Sequence, residues 1–335
     1  PEFAVQTMTE GILEHSGRKN MSNDAIKDYV ESVNDMGNQV MTDIMLGLPG
    51  ETKDNYIESM KKVVDIGFQR ASVADIRLLK GSVMEEDDYK EKYGIESKFR
   101  VIPSAYGEYG GLKVVEYEEC VRKTSTMSED DFFELRLFNA NFFLLYYVEF
   151  GRPLLDFSQN HGYNPIDLIS DVSKTISKDK YPLLSKYIEE FNEVSNAEWF
   201  DSIKEADEHY LKPDVFNKIM KDGFPKLNYE FAALLITNID LRKEYLCWVG
   251  ENINNNLPDI EPIIDELVQF CIHRVYRLPI AENNNRIEMD LSKDSLEIVN
   301  KYIFDYRNNS TSVSEDKRIW REGEEGFRPL DSLVN

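Results

Sequence analysis

The sequence predicts an α/β fold followed by a mostly helical stretch. Residues 3–79 alternate short apolar runs with amphipathic segments, the pattern of parallel strands joined by helical crossovers. From residue 128 onward, apolar residues recur at helical spacing over segments too long to be strands. A length of 335 residues exceeds one ordinary core and implies about two domains.

Residues 3–8 read as a short apolar strand, and 11–18 as a turn with a short helix. Ser22 is the N-cap expected of a helix over 24–36, where Ile26, Tyr29, Val30, Val33 and Met36 share one face and Gly37 ends the run. Residues 39–46 form the next apolar strand, which stops at Gly47-Leu48-Pro49-Gly50. A second helix spans 53–66, with Tyr56, Met60, Val63 and Val64 on its apolar face and Gly67 after it. Residues 72–79 are the third strand, ended by Gly81.

Between 84 and 126 this pattern breaks. Charges and tyrosines dominate, and Gly107, Gly110 and Gly111 suggest a loop. Ser128 with Asp131 three residues on resembles a capping box and opens a strongly apolar helix to about residue 150. Further helices are expected over 181–194, 213–221, 229–251 and 262–276, with a polar tail after about 308. The domain reading is therefore 1–105 as α/β, 106–127 as a linker, and 128–335 as a helical extension.

Hydrophobic residues make up 41% of the chain, enough to build cores despite a net charge of -23. So acidic a surface repels phosphate backbones, which argues against direct nucleic-acid binding. The three cysteines, Cys120, Cys247 and Cys271, are widely separated, which speaks against a disulfide framework and fits a reducing, cytoplasmic setting. No apolar run approaches the roughly 20 residues of a membrane span. His15, His161, His209 and His273 have no metal-ligand spacing, so no metal ligand is assigned.

Ligands of parallel α/β folds bind at the carboxyl ends of the strands. Gln6-Thr7, Asp43 with residues 47–52, and Arg77 with Gly81-Ser82 are therefore the positions to weigh. The two glycines around Pro49 make a tight turn whose backbone can approach a ligand closely. Taken alone, these residues also have plain structural readings: Gln6 satisfying a strand end, Arg18 in a surface ion pair, Asp43 capping a turn, and the glycine turn as an ordinary loop.

Three strings in order change that balance. Val5-Gln6-Thr7-Met8, with Ile12-Leu13 and Arg18-Lys19-Asn20 after it, comes first. Asp43-Ile44-Met45-Leu46-Gly47-Leu48-Pro49-Gly50-Glu51-Thr52 is second, and Ile76-Arg77-Leu78-Leu79-Lys80-Gly81-Ser82 third. Together they resemble the later strands of the radical S-adenosylmethionine (radical SAM) TIM-like barrel. The stretch 98–126, with Tyr106 and Tyr109, and the helices after 128 resemble the group that also carries a cobalamin-binding domain. The likeness is sharp over residues 1–130 and general beyond.

The resemblance implies a fragment of a radical SAM enzyme. Such enzymes use a [4Fe–4S] cluster and S-adenosylmethionine, with cobalamin a candidate third cofactor. It implies a small-molecule or other unknown substrate and radical chemistry, including methyl transfer or rearrangement. By position, Gln6 and Asp43 match residues bonding the SAM ribose, Arg18 matches one pairing with the SAM carboxylate, and Leu48, Pro49 and Gly50 match those flanking the adenine. Glu51 is expected to brace the turn. No residue is assigned a catalytic role.

The departures are as specific. The chain has no Cys-x-x-x-Cys-x-x-Cys loop and no glycine-rich stretch for the SAM amino group, and Lys80 stands where the family has proline. The expected partner is thus an N-terminal part of the same protein that holds the cluster, without which the fragment is inactive. A half-barrel exposes a sheet edge, so the fragment is expected to self-associate. The alternative reading is a non-catalytic helical interaction module carrying a relic half-barrel.

Overall fold

A computed structural model describes residues 1–174, 176–224, 226–257, 260–273, 291–299, 304–305 and 310–311. The fold is mixed α/β with helix predominating, and the described strands form small sheets with no closed barrel. The chain divides into two compact units. Unit 1 comprises residues 1–143 and 189–227, and unit 2 comprises 144–188 and 228–335.

In unit 1, α1 (Asn23–Asp35) is capped by the Ser22 side chain, which accepts from Ala25 N–H. β1 (Met41–Leu46) buries Thr42, Ile44 and Leu46 on one face and half-buries Met41, Asp43 and Met45 on the other. Thr52 caps α2 (Lys53–Ile66), and Gly67 ends it in the left-handed conformation. β2 (Arg70–Asp75) then lies parallel to β1, with Asp43 opposite Ser72 and Leu46 opposite Asp75.

Two of the expected strands are modified. The stretch 3–8 lies beside β1 through single parallel bridges, Glu2 to Met41 and Gln6 to Ile44, because a tight turn at Gln6 interrupts it. The stretch 72–79 does not stay in one ladder. After Asp75 it turns to pair antiparallel with β4 (Leu112–Lys123): Leu78 N–H donates to Glu119 and Val121 N–H to Ile76.

The expected linker at 106–127 is corrected. β3 (Glu96–Tyr109) and β4 form a long antiparallel hairpin. Gly110 and Gly111, with φ of 60° and 84°, supply the two positive-φ positions of a two-residue hairpin turn. The register slips between Val101 and Tyr106, where Pro103 cannot donate and Ser104 has φ of 68°. Val101 and Val115 join Ala206, Tyr210, Phe216 and Ile219 in a buried cluster that also packs Tyr106. α8 (Ile203–Tyr210) and α9 (Pro213–Asp222) thus cover one face of the hairpin.

A single helical domain from residue 128 is also not what forms. α4 (Glu129–Phe142), opened by the Ser128–Asp131 capping box, belongs to unit 1 and passes at Phe143–Tyr147 into a π-helical turn instead of running on to 150. After α7 (Pro182–Ala197), Phe200 exchanges two backbone hydrogen bonds with Phe99 and extends the sheet of unit 1. These ties are nonlocal, so local periodicity carries no trace of them.

Unit 2 is helical, with α5 (Arg152–Asn160) and α6 (Pro165–Val172) packed against α11 (Ile239–Asn256) and α12 (Glu261–His273). The expected helix 229–251 is two helices. Asn238 ends α10 (Leu227–Thr237), and its side chain caps α11 by accepting from Asp240 and Leu241. Gly250 lets α11 and α12 approach closely, since a Cβ there would sit 2.7 Å from Val268 Cγ2. The end of the expected helix 262–276 and most of the tail after 308 lie outside the described residues. Among the described residues no helix is long and apolar enough to cross a membrane.

Candidate functional site

The proposed ligand residues lie in unit 1: Asp43 is the third residue of β1, Gln6 lies beside the strand, and residues 48–50 follow its carboxyl end. Gln6 has φ of 62°, and Thr7 N–H donates across it to the Val5 carbonyl at 2.8 Å. That is a γ-turn of the rare, strained kind. Its neighbours hold it in place. Asn20 Nδ2 donates to Val5 and Thr7 carbonyls at 2.8 and 3.0 Å, and Val5 N–H donates to Thr42 Oγ1 at 3.1 Å. Strain maintained in this way concentrates at functional sites, and Gln6 is half-buried at a strand tip.

Asp43 is tied to the same place. Gln6 N–H donates to the Asp43 carbonyl at 2.8 Å, and Met45 N–H donates to Gln6 at 2.8 Å. The Ser72 hydroxyl donates to Asp43 Oδ1. Glu2 hydrogen-bonds to the Asp43 carboxylate and, beside that like charge, its own pKa is raised. A carboxylate has about four lone-pair positions, so Asp43 retains acceptor capacity for a diol.

Arg18 follows the 3₁₀ turn Leu13–Ser16, where its N–H donates to Leu13 at 2.9 Å. Its side chain is exposed and has no hydrogen-bond or ion-pair partner among the described residues. Asn20, two residues on, holds the Gln6 turn, so Arg18 is connected to the strand tip through the backbone rather than by its own guanidinium.

Leu48 and Pro49 are buried, and Gly50 is half-buried. The turn they form is not bare. His15 Nδ1 lies 2.7 Å from the Pro49 carbonyl, and a carbonyl only accepts, so Nδ1 carries the proton. Gly50 has φ of 89°, and a Cβ on it would come within 2.7 Å of His15 Cε1. His15 showed no metal-ligand pattern in the sequence; what it contributes here is packing and a hydrogen bond.

The Glu51 carboxylate, expected to brace the glycine turn, instead ties down residues 7–9. It is 0% exposed, and its Oε1 accepts from Thr7 Oγ1 at 2.5 Å and Thr9 Oγ1 at 2.8 Å, while Oε2 has no partner. Burial pushes its pKa up to about 7, against the lowering effect of the two threonines. Ser59 completes the network by accepting from Met8 N–H at 2.7 Å.

Sequence reasoning missed a second polar centre in unit 1. Asp75, the last residue of β2, binds Arg100 Nη1 at 2.9 Å and Arg136 Nη1 at 3.5 Å. Burial alone would raise its pKa, but Arg100, Arg136 and Arg122 outweigh that and hold it below the ordinary value. Arg100 Nε also pairs with Glu118 at 2.5 Å, and Arg136 with Glu198. The arginines come from β3, β4 and α4, so no local motif announces the centre.

Tyr106 and Tyr109 divide. Tyr106 is packed in the hairpin core and accepts from Phe224 N–H at 3.0 Å, whereas Tyr109 is exposed at the hairpin tip. The cysteines do not fit a cluster: Cys120 is buried, with burial raising its thiol pKa to about 12, and Cys271 is also buried. Among the described residues no group of three or more His, Cys, Asp or Glu side chains is placed to hold a metal ion. No family model matches the chain, and no curated protein matches it.

Proposed function

We propose that this chain is part of a radical SAM enzyme and that the strand tips of unit 1 bind the nucleoside end of S-adenosylmethionine. The observation supporting this most is the Gln6–Asp43 pair. The main-chain N–H of Gln6 donates to the main-chain carbonyl of Asp43, so residues from two separate strings of the family-like pattern are adjacent on neighbouring parallel segments, with Gln6 in a strained turn. Together they supply the donors and acceptors a ribose diol needs. Arg18, exposed and unpartnered, is available to a carboxylate.

In this reading the residues of this chain bind, orient and shield, and the cofactors supply the radical chemistry. This reading requires a three-cysteine loop that residues 1–335 do not contain. Pro49 and Gly50 meet the adenine only where His15 leaves them open. Cobalamin, the substrate and the outcome after radical formation stay as the resemblance implies them.

Two measurements test the proposal. Calorimetric titration of the chain with S-adenosylhomocysteine is expected to show binding that Asp43→Asn and Gln6→Ala each weaken at least tenfold. The full-length protein, reconstituted anaerobically with iron and sulfide, is expected to show cluster absorbance and to release 5′-deoxyadenosine with a reductant. No cluster and no nucleoside binding would overturn the enzyme reading and leave the interaction module.

A further inference from the structure

Arg122, on β4, is 1% exposed, and none of its three guanidinium nitrogens has a hydrogen-bond partner. Its Cζ lies over the Trp199 ring at 4.4 Å from the centroid, with Phe132 at 5.2 Å and Phe133 at 5.4 Å. Arg100 and Arg136 also lie over Trp199, at 4.7 and 5.6 Å, yet these two are bonded to Asp75, Glu118 and Glu198. Three arginines therefore share one indole, and only Arg122 has no acceptor.

Aromatic faces stabilise a cation through its flat sides. They do nothing for the N–H groups, which point outward in the guanidinium plane. A buried guanidinium without acceptors is costly and calls for a partner. Burial, the dominant effect, presses the Arg122 pKa down to about 10, so the group remains a cation at neutral pH.

Arg122 lies beside the residues that follow the carboxyl ends of β1 and β2, the side of a parallel α/β sheet on which ligands generally bind. Val121, next to Arg122, donates its N–H to Ile76, immediately past the carboxyl end of β2. Gly47, immediately past the end of β1, abuts the same cage: a Cβ on it would lie 3.0 Å from Phe132 Cζ and 3.5 Å from Val121 Cβ. Trp199 is half-buried, and its Nε1 has no hydrogen-bond partner, so no polar contact holds the indole over Arg122.

We propose that Arg122 is the anchor of a ligand site for an oxyanion, the carboxylate or phosphoryl group of a small molecule, with Trp199 as its door. The planar fork of Arg122 matches either group bidentately, and the oxyanion supplies the acceptors the chain does not. Outward rotation of the indole admits the ligand. This proposal does not depend on the nucleoside site proposed above.

The test uses the full chain carrying Trp248→Phe and Trp320→Phe, which leaves Trp199 as the only tryptophan. Sodium phosphate or sodium acetate is titrated against sodium chloride at constant ionic strength while Trp199 emission is followed. A saturable change is expected, with Arg122→Lys raising the apparent Kd at least tenfold. Saturation by phosphate identifies a phosphoryl ligand, and saturation by acetate a carboxylate. If neither anion gives a saturable change, or Arg122→Lys responds like its parent, the proposal is wrong. Should Arg122→Lys not fold, the unsubstituted chain decides: no rise in its unfolding temperature with either anion relative to chloride also overturns the proposal.

Discussion

The main-chain N–H of Gln6 donates to the carbonyl of Asp43 at 2.8 Å, which fixes a strained residue against β1. The strain is held from both sides. Asn20 takes the carbonyls before and after Gln6, and Thr7, the next residue, is held by buried Glu51. A residue needed only to end a strand would not require this much support. The arrangement separates what Gln6 contributes to binding from what it costs in stability.

Gln6→Gly is accordingly expected to stabilise unit 1 by about 1 kcal/mol, because glycine takes positive φ without the Cβ penalty. Gln6→Val should destabilise it by about the same amount or more. Urea unfolding of both variants measures the difference. Under the proposed function, the glycine variant is more stable yet binds S-adenosylhomocysteine more weakly; equal binding would remove Gln6 from the site.

Glu51 gives a pH signature. Its folded pKa of about 7 lies above its ordinary value of 4.5, so the folded state holds a proton that the unfolded state releases between those values. Stability from this group is therefore full below about pH 4.5 and falls as pH rises through about 7, by on the order of 3 kcal/mol in total. Glu51→Gln should abolish that fall. The comparison to make is denaturation midpoints of parent and variant at pH 5.5 and pH 8, and parallel shifts in the two would show that Glu51 is not the titrating group.

Asp75 has the opposite sign. Its pKa is held below the ordinary 3.8, so its stabilising effect is present above that value and is lost as pH falls through the lower, folded one. Asp75→Asn leaves Arg100 and Arg136 with only Glu118 and Glu198, and breaking a buried pair in this way costs about 3 kcal/mol. The variant should be less stable at pH 7 and lose less on acidification. An unchanged midpoint at pH 7 would show that the two glutamates suffice.

Much of unit 1 was legible because its elements are local. The Ser22 and Thr52 caps, the apolar face of α2 and the Gly67 stop all follow from neighbouring residues. The β3–β4 hairpin was not read from the sequence: charge and tyrosine are so dense there that Gly110 and Gly111 suggest a loop, and the strand pairing around them shows only in the structure. What no local pattern carries is the return of Trp199 and Phe200 to the sheet, or the meeting of Arg100, Arg122 and Arg136 around one indole. Those depend on contacts between residues far apart in the chain. In the proposed nucleoside site, the residue types were readable, whereas the γ-turn at Gln6 and the His15 ring over Gly50 depend on packing.

The His15–Gly50 contact is testable as a coupling. Gly50→Ala meets two penalties: about 1 kcal/mol for a side chain at positive φ, and a further term of similar size for a Cβ 2.7 Å from His15 Cε1. In a His15→Ala background the second penalty disappears, and the hydrogen bond to Pro49 is absent from both members of that pair, so its loss cancels. The double-mutant cycle should therefore show Gly50→Ala costing roughly 1 kcal/mol less when His15 is absent. Strict additivity would mean that the imidazole moves aside freely. In that case the backbone of residues 48–50 is open to a flat ring whenever one arrives, as the proposed function requires.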